Sequence, residues 1–170
     1  MDRPAFAPND TATFAAYESA VRSYCRRMPR VFAGGRNALV WDEAGTEFID
    51  FFSACGALNY GHNDPMIKHA AVQHLLSDTI LCGVDLHTPA KRSFIDDFQR
   101  IILRPRGLDY RLQFPGPTGT NAVEAALKLA RKVTGRRNVV AFSKAFHGMS
   151  LGALAATENK KARKLSLIHI

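Results

Sequence analysis

The chain has 170 residues, 46% of them hydrophobic and 22% charged, a balance that excludes a disordered or fibrous chain and suits one globular domain with a sizeable core. Its formal net charge of +8 invites a nucleic-acid partner, but the cations gather at Lys128, Arg131, Lys132, Arg136 and Arg137 and at Lys160, Lys161, Arg163 and Lys164 with no interleaved aromatics. The reading is a solvated basic face and no nucleic acid, with a basic nucleic-acid-binding module as the alternative from another class.

No apolar run reaches membrane-spanning length, and the opening Met1-Asp2-Arg3-Pro4 lacks a basic region followed by an apolar stretch, so no membrane contact is expected. The three cysteines form no framework, which suits reduced thiols in a cytoplasmic protein. From residue 11 to about residue 27, Phe14, Tyr17, Val21, Tyr24 and Cys25 share one helical face, and Pro29 discourages continuation. Residues 39–41 and 46–51 flank the turn Asp42-Glu43-Ala44-Gly45 and predict a hairpin with Trp41 and Phe48 available for burial.

A small-residue stretch, Phe52-Ser53-Ala54-Cys55-Gly56-Ala57, then leads into Leu58-Asn59-Tyr60-Gly61-His62-Asn63. Asn63 or Asp64 caps a helix with Pro65 in its first turn, and Ile67, Ala70, Ala71, His74 and Leu75 are its predicted buried stripe. Thr88 and Pro89 start another helix, with Phe94, Ile95, Phe98, Ile101 and Ile102 as its apolar face and Arg104-Pro105-Arg106-Gly107 as its end. His69 and His74 miss the spacing at which two side chains on one helix face share a metal, and no cysteine pair has zinc-finger spacing. No metal is predicted.

The chemistry concentrates further on. Residues 110–114 and 138–142 read as short strands on either side of a helix in which Val123, Ala126, Leu127, Ala130 and Val133 share a face. Asn121 with Glu124 resembles a capping box, Thr120 could cap instead, and Gly135 suits the left-handed closure of the C-terminus. A strand, helix, strand unit makes a right-handed crossover in a parallel sheet, and its ligands bind beyond the carboxyl ends of the strands. Gly116-Pro117-Thr118-Gly119-Thr120 lies at that edge, where small residues and the first amides of a helix suit a phosphate. Phe146-His147-Gly148 falls at the same edge. Neither a Walker loop nor a dinucleotide fingerprint fits, and by itself the loop also reads as a structural Gly and Pro turn.

Taken together, Thr118-Gly119-Thr120, Glu124, Leu127-Lys128-Leu129-Ala130-Arg131, Thr134-Gly135-Arg136 and Phe146-His147-Gly148 resemble the core of class III aminotransferases, pyridoxal-phosphate enzymes of fold type I. Gly116 to Glu124, Leu58-Asn59-Tyr60-Gly61-His62-Asn63, Ala90-Lys91-Arg92 and Phe146-His147-Gly148-Met149 are similar to the diaminobutyrate–2-oxoglutarate branch, found in ectoine and siderophore pathways. The resemblance implies an α/β fold, with the hairpin segment of a small domain over residues 1–60 and the start of a large parallel-sheet, cofactor-binding domain over residues 61–157. It implies pyridoxal 5'-phosphate as cofactor, held at its phosphate by Thr118, Gly119 and Thr120 and walled by Phe146 and His147. It places loops such as residues 58–63 at the mouth of the active site.

By themselves Phe146 reads as a core aromatic and His147 as a capped loop histidine. Glu124 is read as a helix cap, and no catalytic residue is assigned. Thr118 and Phe146 replace the commoner Ser and Tyr of the wider class but keep a hydroxyl and an aromatic plane. The family's cofactor-linked lysine and its aspartate partner to the pyridine nitrogen lie beyond this sequence, so a truncated chain without transaminase activity of its own is expected. Residues 158–170 lose the family pattern, and Leu165-Ser166-Leu167-Ile168-His169-Ile170 matches a translated sequencing adaptor, so a non-native tail is expected there. For the parent enzyme the resemblance implies small-molecule amino donors and acceptors, a homodimer, and amino transfer from glutamate to aspartate 4-semialdehyde. Ornithine, 4-aminobutyrate or another ω-amine is the alternative substrate.

Overall fold

A computed structural model describes residues 7–21, 24–158 and 163–164 of the chain. The remaining residues, including 165–170 of the expected non-native tail, lie outside the described residues. The chain forms two compact units, Met1–Thr79 and Ile80–Ile170.

The first unit is organised around an antiparallel sheet of β1 (Phe32–Arg36), β2 (Leu39–Asp42) and β3 (Glu47–Ile49), in that order. The predicted hairpin is β2 and β3, with Val40 opposite Phe48 and Trp41 opposite Glu47. Strand β1 is an addition that Gly34 and Gly35 concealed. The β1–β2 register shifts between Phe32 and Gly34, and a Cβ on Gly34 would stand 2.5 Å from the Trp41 indole, so glycine is what lets that ring lie across the strand.

The hairpin turn is built by Asp42, which is 1% exposed. Its Oδ1 accepts from the Ala44 and Thr46 amides at 3.0 and 2.9 Å, and its Oδ2 accepts from Arg30 and Asn9 at 3.0 and 3.1 Å. Burial pushes this carboxyl up, but the bonds from Thr46, Asn9, Arg30 and Ala44 outweigh it and hold the group below its ordinary value.

Two expectations for this unit are corrected. In place of one helix over residues 11–27 there are two short ones, α1 (Ala12–Tyr17) and α2 (Tyr24–Arg27), and Phe14, Tyr17, Val21 and Tyr24 are exposed. Helices of four and six residues cannot offset the cost of nucleation without a packed face. Helix α4 (Pro65–Leu76) starts as predicted, with Asp64 accepting from the Met66 and Ile67 amides, both at 3.0 Å. Its stripe is not buried: Ile67 and Leu75 are 50% and 66% exposed, and an apolar stripe is covered only where another element packs on it. The small-residue stretch holds α3 (Ser53–Gly56), where Ser53, Ala54, Cys55 and Gly56 all have positive φ, a left-handed turn.

The second unit opens with α5 (Pro89–Phe98), capped by Thr88 Oγ1 on the Lys91 amide at 3.1 Å. The helix continues through a wider turn at Gln99–Leu103 and a tighter one at Arg104–Arg106, and left-handed Gly107 ends it as read from the sequence. Leu103, outside the predicted apolar face, is the buried residue here. Helix α6 (Gly119–Thr134) carries the central motif and closes at Gly135 with φ 69°. Helix α7 (Leu151–Ala155) follows and contributes the buried Ala153 and Leu154.

The flanking strands predicted at residues 110–114 and 138–142 are not formed. Among the described residues no ladder involves them. A parallel strand is defined by neighbours on both hydrogen-bonding edges, and such neighbours come from distant parts of a chain. Here residues 110–114 lie along α5 and the turn after it instead, through Gln99 Nε2 to the Tyr110 carbonyl at 3.1 Å and a Phe94–Phe114 edge contact at 6.0 Å.

Candidate functional site

Helix α6 begins at the phosphate-type loop, and the structure decides which residue caps it. Thr118, in extended conformation, accepts from the Asn121 amide through Oγ1 at 3.1 Å, replacing the predicted Asn121 or Thr120 cap. Asn121 lies within the helix, and its side-chain amide nitrogen would stand 2.6 Å from a Cβ on Gly116, whose φ is 121°. With Thr118 as the cap, the amides of Gly119 and Thr120 precede the first helical bond and have no hydrogen-bond partner among the described residues. They are two donors at the positive end of a 16-residue helix. Capping uses an oxygen lone pair, so the Thr118 hydroxyl hydrogen remains able to donate outward.

The second loop comes to the same place. Gly148 is buried with φ 128°, and a Cβ there would stand 2.1 Å from Thr120 Oγ1. The loop therefore rests directly on the start of α6, a closeness only glycine permits. Two residues earlier, Phe146 is 65% exposed, a ring presented to solvent rather than the core aromatic that the bland reading supposed. His147 is half-buried, and its backbone N–H donates to Thr157 Oγ1 at 2.9 Å. Of the five sequence-predicted residues, Thr118, Gly119 and Thr120 form the helix start, and the tripeptide of Phe146 and His147 is seated on it through Gly148.

Sequence reasoning missed how this arrangement is fixed. Glu124 does not close its own helix. Its Oε1 accepts from the Ser150 hydroxyl and from the Ala153 amide at 3.0 Å, so it caps α7. The Ser150 hydrogen bond above all, then the Ala153 amide, hold this carboxyl below its ordinary value against the opposing effect of burial, with the Gly152 amide and Lys128 adding to it. Thr157, 2% exposed, ties the far side by donating to the Gly148 or Ala153 carbonyl at 3.2 or 3.0 Å. A serine ahead of Leu151-Gly152-Ala153-Leu154-Ala155 was the signal for α7; nothing local pointed from Ser150 back to Glu124.

In the first unit a cleft of about 270 Å³ is lined by Asn37, Asp50, Ser53, Asn59, Tyr60 and His62, among others. His62 Nε2 lies 2.7 Å from Asp50 Oδ2, and residues 37 and 62 exchange backbone bonds at 2.8 Å each. The other carboxylate oxygen of Asp50 accepts from the Phe52 and Ser53 amides and pins the left-handed turn, whose backbone costs about 1–2 kcal/mol per non-glycine residue. The His62 bond above all, with that of Ser53 and a smaller one from Phe52, holds Asp50 below its ordinary value although burial opposes it. Among the described residues no cluster of histidine, cysteine and carboxylate side chains could hold a metal ion, and no helix is long and apolar enough to cross a membrane.

These features have counterparts in known proteins. A sequence model of the aminotransferase class-III family matches residues 21–169. The chain is 52% identical over 163 residues to a diaminobutyrate–2-oxoglutarate transaminase of Streptomyces avermitilis, covering 94% of this chain and 38% of that protein. It is 57% identical over 155 residues to an uncharacterized aminotransferase of Sinorhizobium fredii, covering 91% of this chain and 35% of that one. Among solved structures, the taurine:2-oxoglutarate aminotransferase of Bifidobacterium kashiwanohense, in complex with PLP and glutamate, matches with a TM-score of 0.64 at 23% identity, over 81% of this chain and 30% of that one. The chain thus spans little more than a third of the length of the curated relatives it matches. It belongs to the class-III aminotransferase family and carries part of the fold type I transaminase fold.

Proposed function

We propose that this chain is the cofactor-phosphate portion of a pyridoxal-phosphate enzyme that, when whole, transfers an amino group from glutamate to aspartate 4-semialdehyde to give 2,4-diaminobutyrate. The observation that carries the reading is one juxtaposition: two helix-start amides without a partner among the described residues, at Gly119 and Thr120, directly beneath a loop that presents an exposed aromatic ring. The donors suit a phosphate, and the ring suits a flat conjugated heterocycle. When bound, pyridoxal phosphate supplies a conjugated aldehyde that carries the amino group between substrates.

What this chain does toward that chemistry is binding and orientation. The Gly119 and Thr120 amides, with the Thr118 hydroxyl, hold the phosphate. Phe146 covers one face of the ring and sheds water from it, and His147 extends that wall. None of these residues moves a proton, and without the remainder of the catalytic apparatus the 170-residue chain is expected to bind but not to transaminate. Exposed apolar side chains such as Ile67, Leu75, Leu76 and Val140 are faces that the rest of the polypeptide and a homodimer partner cover in the whole enzyme. The enzyme so read works in the cytoplasm on small molecules.

A second reading, transfer from ornithine, 4-aminobutyrate or another ω-amine, stands beside it, because the relative at 57% identity has no assigned substrate. One assay separates them. The complete gene product is incubated with glutamate and aspartate 4-semialdehyde, and the amino product is identified by mass spectrometry. Formation of 2,4-diaminobutyrate at a higher kcat/KM than turnover of ornithine or 4-aminobutyrate is the expected result; the reverse order favours the second reading. Steeply salt-dependent binding of the chain to RNA or DNA, with no amino transfer by the complete product, sinks both.

A further inference from the structure

Glu124 lies in the second turn of the helix whose first amides are proposed to take the phosphate, yet its carboxylate reaches to another element. It receives the Ser150 hydroxyl and the Ala153 amide, and a Cβ on Gly152 would stand 2.3 Å from its Oε2, so the carboxylate lies flat on the backbone that follows the Phe146 loop. Helix α7 has five residues, too few to form without external support. The side chain of its N-cap residue, Ser150, makes no bond to its own helix and points to Glu124 instead. The amides that open α7 are therefore closed by a charged group anchored on α6.

We propose that Glu124 is a positioning residue that sets the spacing between the phosphate-binding amides and the ring-binding wall. The structure forms a closed circuit. Glu124 ties α6 to the start of α7, and Thr157 ties the end of α7 back to His147 and Gly148. Gly148 rests on Thr120, one helical turn from Glu124 on the same helix. Displacing α7 therefore lifts the loop carrying Phe146 but leaves the amides of Gly119 and Thr120 where they are. A ligand that is only an anion needs the amides; a ligand with a ring needs the wall as well. This inference rests on the cofactor reading above.

The test uses the 170-residue chain and two probes, inorganic phosphate and pyridoxamine 5'-phosphate, which lacks the aldehyde and cannot react with lysines. In Glu124→Gln, pyridoxamine 5'-phosphate is expected to bind about tenfold more weakly, equivalent to about 1.4 kcal/mol, with phosphate affinity within about twofold. Hydrogen exchange at the His147 and Ala153 amides should quicken by a similar factor. Ser150→Ala, which removes one bond and no charge, should give a smaller loss in the same direction and serves if the first variant does not fold. Parallel weakening of both probes marks a purely structural role and overturns the proposal, as does an unchanged pyridoxamine 5'-phosphate affinity. If the unsubstituted chain binds inorganic phosphate or nothing, while Glu124→Gln still quickens exchange, the clamp is real and it is the cofactor reading that fails, taking the positioning role with it.

Discussion

Replacing Gly148 by alanine tests the contact that brings the two loops together. At φ 128° an L side chain is strained by about 1–3 kcal/mol. The added methyl would also stand 2.1 Å from Thr120 Oγ1 and 2.8 Å from its Cβ and Cγ2, and overpacking of this kind costs about 1–3 kcal/mol more. Gly135→Ala is the control, because Gly135 has φ 69° with nothing within 4 Å of the added carbon and suffers backbone strain alone, about 1–2 kcal/mol. The two variants should therefore differ by about 2 kcal/mol in local opening free energy. Hydrogen exchange at the Ala153 and Thr157 amides reads that difference where it acts. If Gly148→Ala opens this region no more readily than Gly135→Ala, the loop does not rest on the helix start and the composite site is wrong.

Thr118→Ala should destabilise α6 by about 1 kcal/mol through loss of its cap, measured by exchange along the first helical turn, while Thr118→Ser should restore most of it. Thr157→Val leaves the His147 amide without its acceptor and should cost about 1–3 kcal/mol, read by the same exchange experiment. Gly34→Ala forces the Trp41 indole from its place and should shift the tryptophan emission, since the chain holds one tryptophan. Asp50 has a folded pKa below its ordinary 3.8, so the stability it contributes is present above that value and is lost as pH falls through the lower folded one. Acid unfolding followed by Trp41 emission should accordingly lose part of its steepness in Asp50→Asn.

What could be read in advance follows the range of the forces involved. Helices α4, α5 and α6 announced their starts through Asp64 with Pro65, Thr88 with Pro89, and the hydroxyl-rich loop, because a cap bonds within three residues of itself. The hairpin was legible for the same reason: its turn hangs on the Asp42 carboxylate and the amides just after it. Even there the α6 cap is Thr118 where the sequence pattern favours Asn121 or Thr120, because three neighbouring polar residues all suit a cap and only the backbone path selects one. Strands at residues 110–114 and 138–142 have the right residues, but strandness belongs to a pair, and among the described residues no strand pairs with them. The apolar stripes of α1 and α4 were correctly seen as apolar and wrongly assumed to be covered. At the site, the loop and the Phe146 tripeptide could be named from sequence. The Ser150–Glu124, Ala153–Glu124 and His147–Thr157 bonds that hold them span 26, 29 and 10 residues and carry no local signature.

The proposed site is an anion held by two backbone amides. Nitrogen-15 NMR of the chain titrated with pyridoxamine 5'-phosphate tests this most directly. The Gly119 and Thr120 amides should move downfield and titrate together with the Phe146 ring protons. Perturbation confined to the Asp50 and His62 cleft, or silence at Gly119 and Thr120 while ligand binds elsewhere, would contradict it.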